Sequence, residues 1–132
     1  IQAKLFGDPE FRANFLRRSF IDPSIVTDDV VKNLSLASQS EGYMSGMTSL
    51  MGQYSDADEV PMLPQLKVPS LIVWGAQDRG KPAGEFEQLR KLLPNNTAVL
   101  VATSGHYVQE EAPVATAEAM NAFVQRVMPA TP

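Results

Sequence analysis

Asp78 and His106 are the two residues whose types and settings could do chemistry together. Asp78 closes Val68-Pro69-Ser70-Leu71-Ile72-Val73-Trp74-Gly75-Ala76-Gln77-Asp78, a β-branched and aromatic run that ends in a turn. His106 follows Thr97-Ala98-Val99-Leu100-Val101-Ala102 in the turn Ser104-Gly105-His106-Tyr107, and it is the single histidine of the chain. A carboxylate that reaches an imidazole fixes its tautomer and stabilises the imidazolium formed when the ring takes a proton. That is the orienting half of a nucleophile–base–acid triad. Taken alone, a loop histidine is more often packed or solvated than catalytic, and a turn aspartate says less still. Their joint occurrence, acid before histidine and each just past a strand, is what points to catalysis.

The elements that must position them come from the same text. The two apolar runs read as strands, and Phe86, Leu89 and Leu93 give a helix between them, from about Pro82 to Leu93, an inward face. Strands joined by a helical crossover pair in parallel. Parallel strands buried on both faces read as continuous apolar runs rather than alternations, as Leu71 to Trp74 and Ala98 to Ala102 do. Their carboxyl ends then share one edge of the sheet, where open α/β sheets bind ligands. Asp78 and His106 are expected at that edge.

The segment Val68 to Asp78 resembles the strand-and-acid segment of the α/β-hydrolase superfamily. Gly105-His106-Tyr107-Val108-Gln109-Glu110-Glu111-Ala112-Pro113 resembles its catalytic-histidine segment. The similarity is most specific over about residues 66 to 128. It implies an α/β fold: the C-terminal part of an α/β-hydrolase, with two parallel core strands and flanking helices, preceded by a helical cap. It further implies that Asp78 and His106 are the catalytic acid and base. The chain order of the superfamily is nucleophile, acid, histidine. No Gly-x-Ser-x-Gly elbow stands anywhere in the chain. The nearest text, Gly42-Tyr43-Met44-Ser45-Gly46, has the wrong spacing and no preceding strand. Ser104 lies close to His106 in sequence but lacks the strained strand-to-helix turn that exposes a nucleophilic oxygen. The nucleophile is therefore expected upstream of Ile1, in a chain longer than this one.

Outside the strand segments the chain reads mainly as helices. Asp8, Pro9 and Glu10 open a helix that carries Phe11 and Phe15 on one face and ends at Asp22-Pro23-Ser24. Arg12, Arg17 and Arg18 could bind an anionic group or form a solvated face suited to a helix C-terminus. Thr27 with Asp28 and Asp29 opens a second helix through Val30, Leu34 and Ala37. Gly42 and Gly46 interrupt the helical pattern after it, leaving Tyr43, Met44, Met47, Leu50 and Met51 for a separate helix. Its methionines are adaptable apolar surface, either plain core or, as the resemblance suggests, the lining of a substrate pocket beneath the cap. Tyr43, Met44, Met47 and Tyr107 are the candidate substrate-binding residues. Residues 52 to 67, with Asp56, Asp58, Glu59, Pro61 and Pro64, read as an exposed connecting loop whose acids match no calcium-loop spacing. Residues 1–58 are thus expected to form the helical cap and 59–132 the core part. Glu111-Ala112-Pro113 opens a last helix that ends by Pro129, with Ala117, Met120, Val124 and Val127 facing inward beside Phe123.

Bulk properties set the outer limits. The 132 residues carry a net charge of -4, which argues against a nucleic-acid partner. The absence of cysteine excludes disulfides and thiolate chemistry, and one histidine excludes a His-rich metal site. No cofactor or metal is expected, and the partner is a small-molecule substrate. No apolar run approaches the roughly 18 residues of a membrane span. Ile1-Gln2-Ala3-Lys4 lacks a basic n-region and an apolar h-region, so the expectation is a cytoplasmic protein, although a chain starting at Ile without Met also reads as truncated. A carboxylic-ester or C–C bond hydrolase is the first expectation. The resemblance also admits an Asp-nucleophile epoxide hydrolase or haloalkane dehalogenase, and a non-catalytic ligand-binding or scaffold protein of the same fold. Two core strands alone leave an open edge, so the isolated chain is expected to be inactive and to self-associate or pair with a missing N-terminal part.

Overall fold

The computed structural model describes residues 8–53, 60–81 and 84–128. The chain divides into two compact units, Ile1–Asp56 and Ala57–Pro132. Asp56, Asp58, Glu59, the boundary expected near residue 58, Pro82 as a helix start and Pro129 as a helix stop all lie outside the described residues.

In the first unit, helix α1 (Pro9–Ser19) starts as its residues dictate. The Asp8 carboxylate accepts hydrogen bonds from the Glu10 and Phe11 amides, and Pro9 takes the first helical position. At the other end Asp22 accepts from the Ser24 amide and opens a 3-10 turn, Pro23–Ile25. Hydrogen bonds from the Ser24 hydroxyl, first, and from its amide hold the Asp22 carboxyl below its ordinary range. Leu16, Phe20 and Val26 are buried and form the apolar centre of this unit. Thr27 caps helix α2 (Asp28–Leu34) through the Val30 amide, and Asp28 pairs with Arg17 at 3.0 Å. Arg17 therefore has an intramolecular partner at the surface, where such pairs contribute little to stability.

A 3-10 turn, Leu36–Gln39, leads to Gly42, whose φ of 77° lies in the left-handed region. Helix α3 (Tyr43–Gln53) begins there. Gly46 does not interrupt it as expected. Its amide donates to the Gly42 carbonyl at 2.8 Å, and the helix runs through. One glycine weakens a helix by only about 1 kcal/mol relative to alanine, and the rest of the helix outweighs it.

The second unit holds the sheet. A 3-10 helix, Val60–Gln65, takes up Pro61 and Pro64 where a loop was expected. Strands β1 (Ser70–Gly75) and β2 (Asn96–Val101) pair in parallel, from Ser70 opposite Asn96 to Gly75 opposite Val101. Among the described residues the sheet has these two strands, so each keeps one unpaired edge. The expected burial of both faces is accordingly incomplete. Ile72 and Val101 are buried, Leu71, Val73 and Trp74 are half-buried, and Leu100 is exposed. Between the strands, helix α4 (Glu85–Leu92) turns Phe86, Leu89 and Leu93 inward, and Phe86 meets the Trp74 ring at 6.1 Å.

After β2 comes a short helix, α5 (Val108–Glu111), not anticipated from the sequence. The last helix, α6 (Pro113–Val127), starts behind it at Pro113. The inward face of α6 also differs from expectation. Thr116 is buried and Ala115, Ala119, Phe123 and Val127 are half-buried, whereas Ala117, Met120 and Val124 are exposed. This helix carries apolar residues on two stripes, and side-chain bonds to neighbouring segments help to fix its rotation. The Thr116 hydroxyl donates to the Val108 and Ala112 carbonyls, and Arg126 donates to the Thr97 hydroxyl. No helix of the described residues is long and apolar enough to cross a membrane.

Candidate functional site

The parallel register brings both turns to one edge, and backbone bonds tie them together. The Ala76 amide donates to the Val101 carbonyl at 2.9 Å, and the Gln77 amide donates to the Ser104 carbonyl at 3.0 Å. The Gln77 side-chain amide donates to the Ala102 carbonyl at 2.9 Å. Gln77 thus bridges the turn after β1 to the turn after β2. The two turns also press together. A Cβ at Gly75 would lie 2.0 Å from the Gly105 carbonyl oxygen and 2.6 Å from that of Ser104, so only glycine fits.

Within this frame the His106 Nδ1 faces the Asp78 carboxylate, at 3.2 Å from Oδ1 and 3.1 Å from Oδ2. The Asp78 side chain is 9% exposed and that of His106 38% exposed. The acid is thus held largely out of solvent while the ring remains accessible. The Gly80 amide donates to Asp78 Oδ1 at 2.6 Å and helps fix the carboxylate. A carboxylate accepts hydrogen bonds, so in the neutral ring Nδ1 carries the hydrogen and Nε2 the lone pair. The pair can therefore orient an imidazole as a proton acceptor at Nε2. The Tyr107 ring stands edge-on to the imidazole at 5.2 Å. Burial pushes the Tyr107 phenol above its ordinary pKa.

Asp78, His106 and Tyr107 are brought together. Tyr43, Met44 and Met47 belong to the first unit, on α3, where Tyr43 and Met47 are half-buried and Met44 is exposed. Ser45 also lies on α3, its hydroxyl donating to the Gly42 carbonyl. Ser104 is fully buried in the turn after β2. Neither serine stands on a strand-to-helix elbow. Among the described residues no group of three or more His, Cys, Asp or Glu side chains could hold a metal ion.

Three supporting residues were missed in the sequence. Gln77 and Gly75 were visible only as turn residues, and nothing local marks their contacts across to β2. Glu111 accepts from the Gly105 amide at 3.1 Å and the Tyr107 amide at 3.2 Å. The signal available for it was a glutamate four residues after the first cap position of a short helix, a variant of a capping box.

Comparison with known proteins bears on the fold. The alpha/beta hydrolase fold family matches residues 12–113. The chain is 26% identical over 104 residues to the uncharacterised hydrolase YugF of Bacillus subtilis, covering 79% of this chain and 38% of that protein. It superimposes with a TM-score of 0.71 on a meta-cleavage product hydrolase from Pseudomonas fluorescens, at 19% identity, covering 91% of this chain and 46% of that one. It superimposes equally well, with a TM-score of 0.71, on a thermophilic esterase from Thermogutta terrifontis, at 21% identity over 90% of this chain and 44% of the esterase. The chain thus spans less than half the length of each of these relatives.

Proposed function

The chain belongs to the alpha/beta hydrolase fold family, and on that premise we propose that Asp78 and His106 are the acid and the base of a hydrolase's nucleophile–acid–histidine triad. The substrate class is a carboxylic ester or a related acyl or C–C substrate. The observation that carries this reading is the Asp78 carboxylate on His106 Nδ1 at 3.1 and 3.2 Å, past the ends of adjacent parallel strands. That two structural relatives bear the names esterase and meta-cleavage product hydrolase supports the substrate class.

The nucleophile of this triad belongs to the part of the fold that these 132 residues do not span. A serine there attacks the carbonyl carbon while His106 Nε2 takes its proton. His106 then returns the proton to the leaving group, and water releases the acyl enzyme by the same route. Asp78 holds the ring and stabilises the imidazolium through Nδ1. Residues 1–58 are read as the helical cap segment of the fold, and Tyr107, whose ring borders the imidazole, is the substrate-contacting residue of the second unit.

The test uses the natural gene product that carries these residues. His106→Ala and Asp78→Asn are each expected to lower turnover of a short-chain p-nitrophenyl ester, the second by up to about 10⁴-fold. Labelling by a fluorophosphonate, expected in the wild type, identifies the nucleophile as serine. Wild-type turnover in either variant would remove the proposal.

A further inference from the structure

The direction of the His106 ring depends on a three-residue turn, and one carboxylate oxygen grips that turn on both sides of the histidine. The Gly105 amide precedes His106 and the Tyr107 amide comes after it. Both donate to the same atom, Glu111 Oε1, at 3.1 and 3.2 Å. The grip closes in the reverse direction as well. The Tyr107 carbonyl accepts from the Glu110 and Glu111 amides, each at 2.9 Å. Residues 107 and 111 are therefore joined twice, once through backbone and once through side chain. Glu111 is half-buried, whereas its neighbour Glu110 is exposed.

The opposite side of the turn is blocked. The Ser104 and Gly105 carbonyls lie so close to Gly75 that no Cβ would fit there, so the turn cannot slide toward β1. It is held between a strand end and a carboxylate. Without Glu111, two part-buried N–H groups would lose their acceptor, and such groups rearrange to find another. The Asp78–His106 contacts, at 3.1 and 3.2 Å, are already near the long limit for a hydrogen bond. A shift of a few tenths of an ångström would release them.

We infer that Glu111 is a positioning residue for His106, setting the backbone of residues 105–107 so that Nδ1 meets Asp78. Its kinetic consequence rests on the function proposed above, while its structural consequence does not. Glutamine keeps the Oε1 acceptor, alanine removes it, and aspartate keeps the charge but shortens the reach.

The experiment measures ester turnover and residue-resolved amide hydrogen exchange in the natural protein, well below its melting temperature. Glu111→Ala and Glu111→Asp are expected to lower kcat roughly 10- to 100-fold with KM changed less than about twofold, the mark of a misplaced base rather than weakened binding. Glu111→Gln is expected to keep kcat within about threefold of wild type, and Glu110→Ala to leave it unchanged. Exchange at Gly105 and Tyr107 should quicken about tenfold or more in Glu111→Ala while β1 and β2 amides hold their protection. If the alanine variant does not fold, the aspartate variant carries both readings. Wild-type kcat in Glu111→Asp, equal damage in Glu111→Gln, or unchanged exchange at both amides would overturn the inference. If His106→Ala keeps full turnover, the proposed function fails, and the exchange rates alone decide the role of Glu111.

Discussion

At the scale of single residues, the site is a carboxylate, an imidazole and the small groups that leave room for them. Gly80 faces the pair directly. A Cβ there would meet His106 Nδ1 at 3.1 Å and Asp78 Oδ1 at 3.2 Å. Gly80→Ala is therefore expected to spread the pair and lower ester turnover about tenfold while leaving the melting temperature nearly unchanged. Kinetics beside a thermal melt would show whether the two effects separate. Tyr107 gives a second prediction. Its phenol is raised by burial, so the folded chain holds this proton more tightly than the unfolded one. The stability it contributes is complete below the ordinary tyrosine range and is lost as pH rises through the raised value. The absorbance titration of wild type minus Tyr107→Phe should accordingly show a midpoint above that of free tyrosine. A midpoint at or below it would remove the burial account.

At the scale of elements, what matters is how each segment is started and where it is pinned. Helix α1 is set by the double acceptance at Asp8, and Asp8→Ala is expected to destabilise the first unit by about 1 kcal/mol. Asp8→Asn, which can still cap, should cost less, and denaturant melts of the two variants check this. The meeting of β1 with the turn after β2 is less forgiving. Gly75→Ala forces a methyl group into two backbone oxygens, and relief requires the strand end or the His106 turn to move. The expected cost is about 3 kcal/mol or more, the upper range of overpacking, and it should come with loss of turnover. A Gly75→Ala protein with wild-type stability would show that the two turns are not in contact.

At the scale of the whole molecule, the second unit presents two unpaired strand edges, with Val68, Leu100, Val114, Met120 and Val124 exposed around the sheet and last helix. Open edges and apolar surface of this kind favour association. The 132-residue chain on its own is expected to elute in size-exclusion chromatography as a species larger than its 14.4 kDa, and to show no ester turnover because it carries no nucleophile elbow. A monomeric, ester-cleaving preparation of this chain would contradict both the association argument and the placement of the nucleophile outside it.

Much of this arrangement is legible in the sequence because its causes are local. Asp8, Thr27 and Asp22 bond to amides two or three residues away, so their types and positions suffice to place the starts of two helices and a turn. The β-branched runs around Ile72 and Val99 mark two strands, and the crossover between them makes the pairing parallel, which sends Asp78 and His106 to one edge. The features that lay beyond the sequence were decided between residues far apart. Two apolar stripes run along the last helix, and bonds from Thr116 and Arg126 to other elements help to select the one that turns inward. Whether Asp78 and His106 come within 3.2 Å depends on how the turn after β2 packs against Gly75, whereas the grip of Glu111 on the histidine turn is local, reaching amides four and six residues back. Local composition encodes the start and type of an element. Contact between elements is a property of the closed chain, and it is there that the geometry of the site is set.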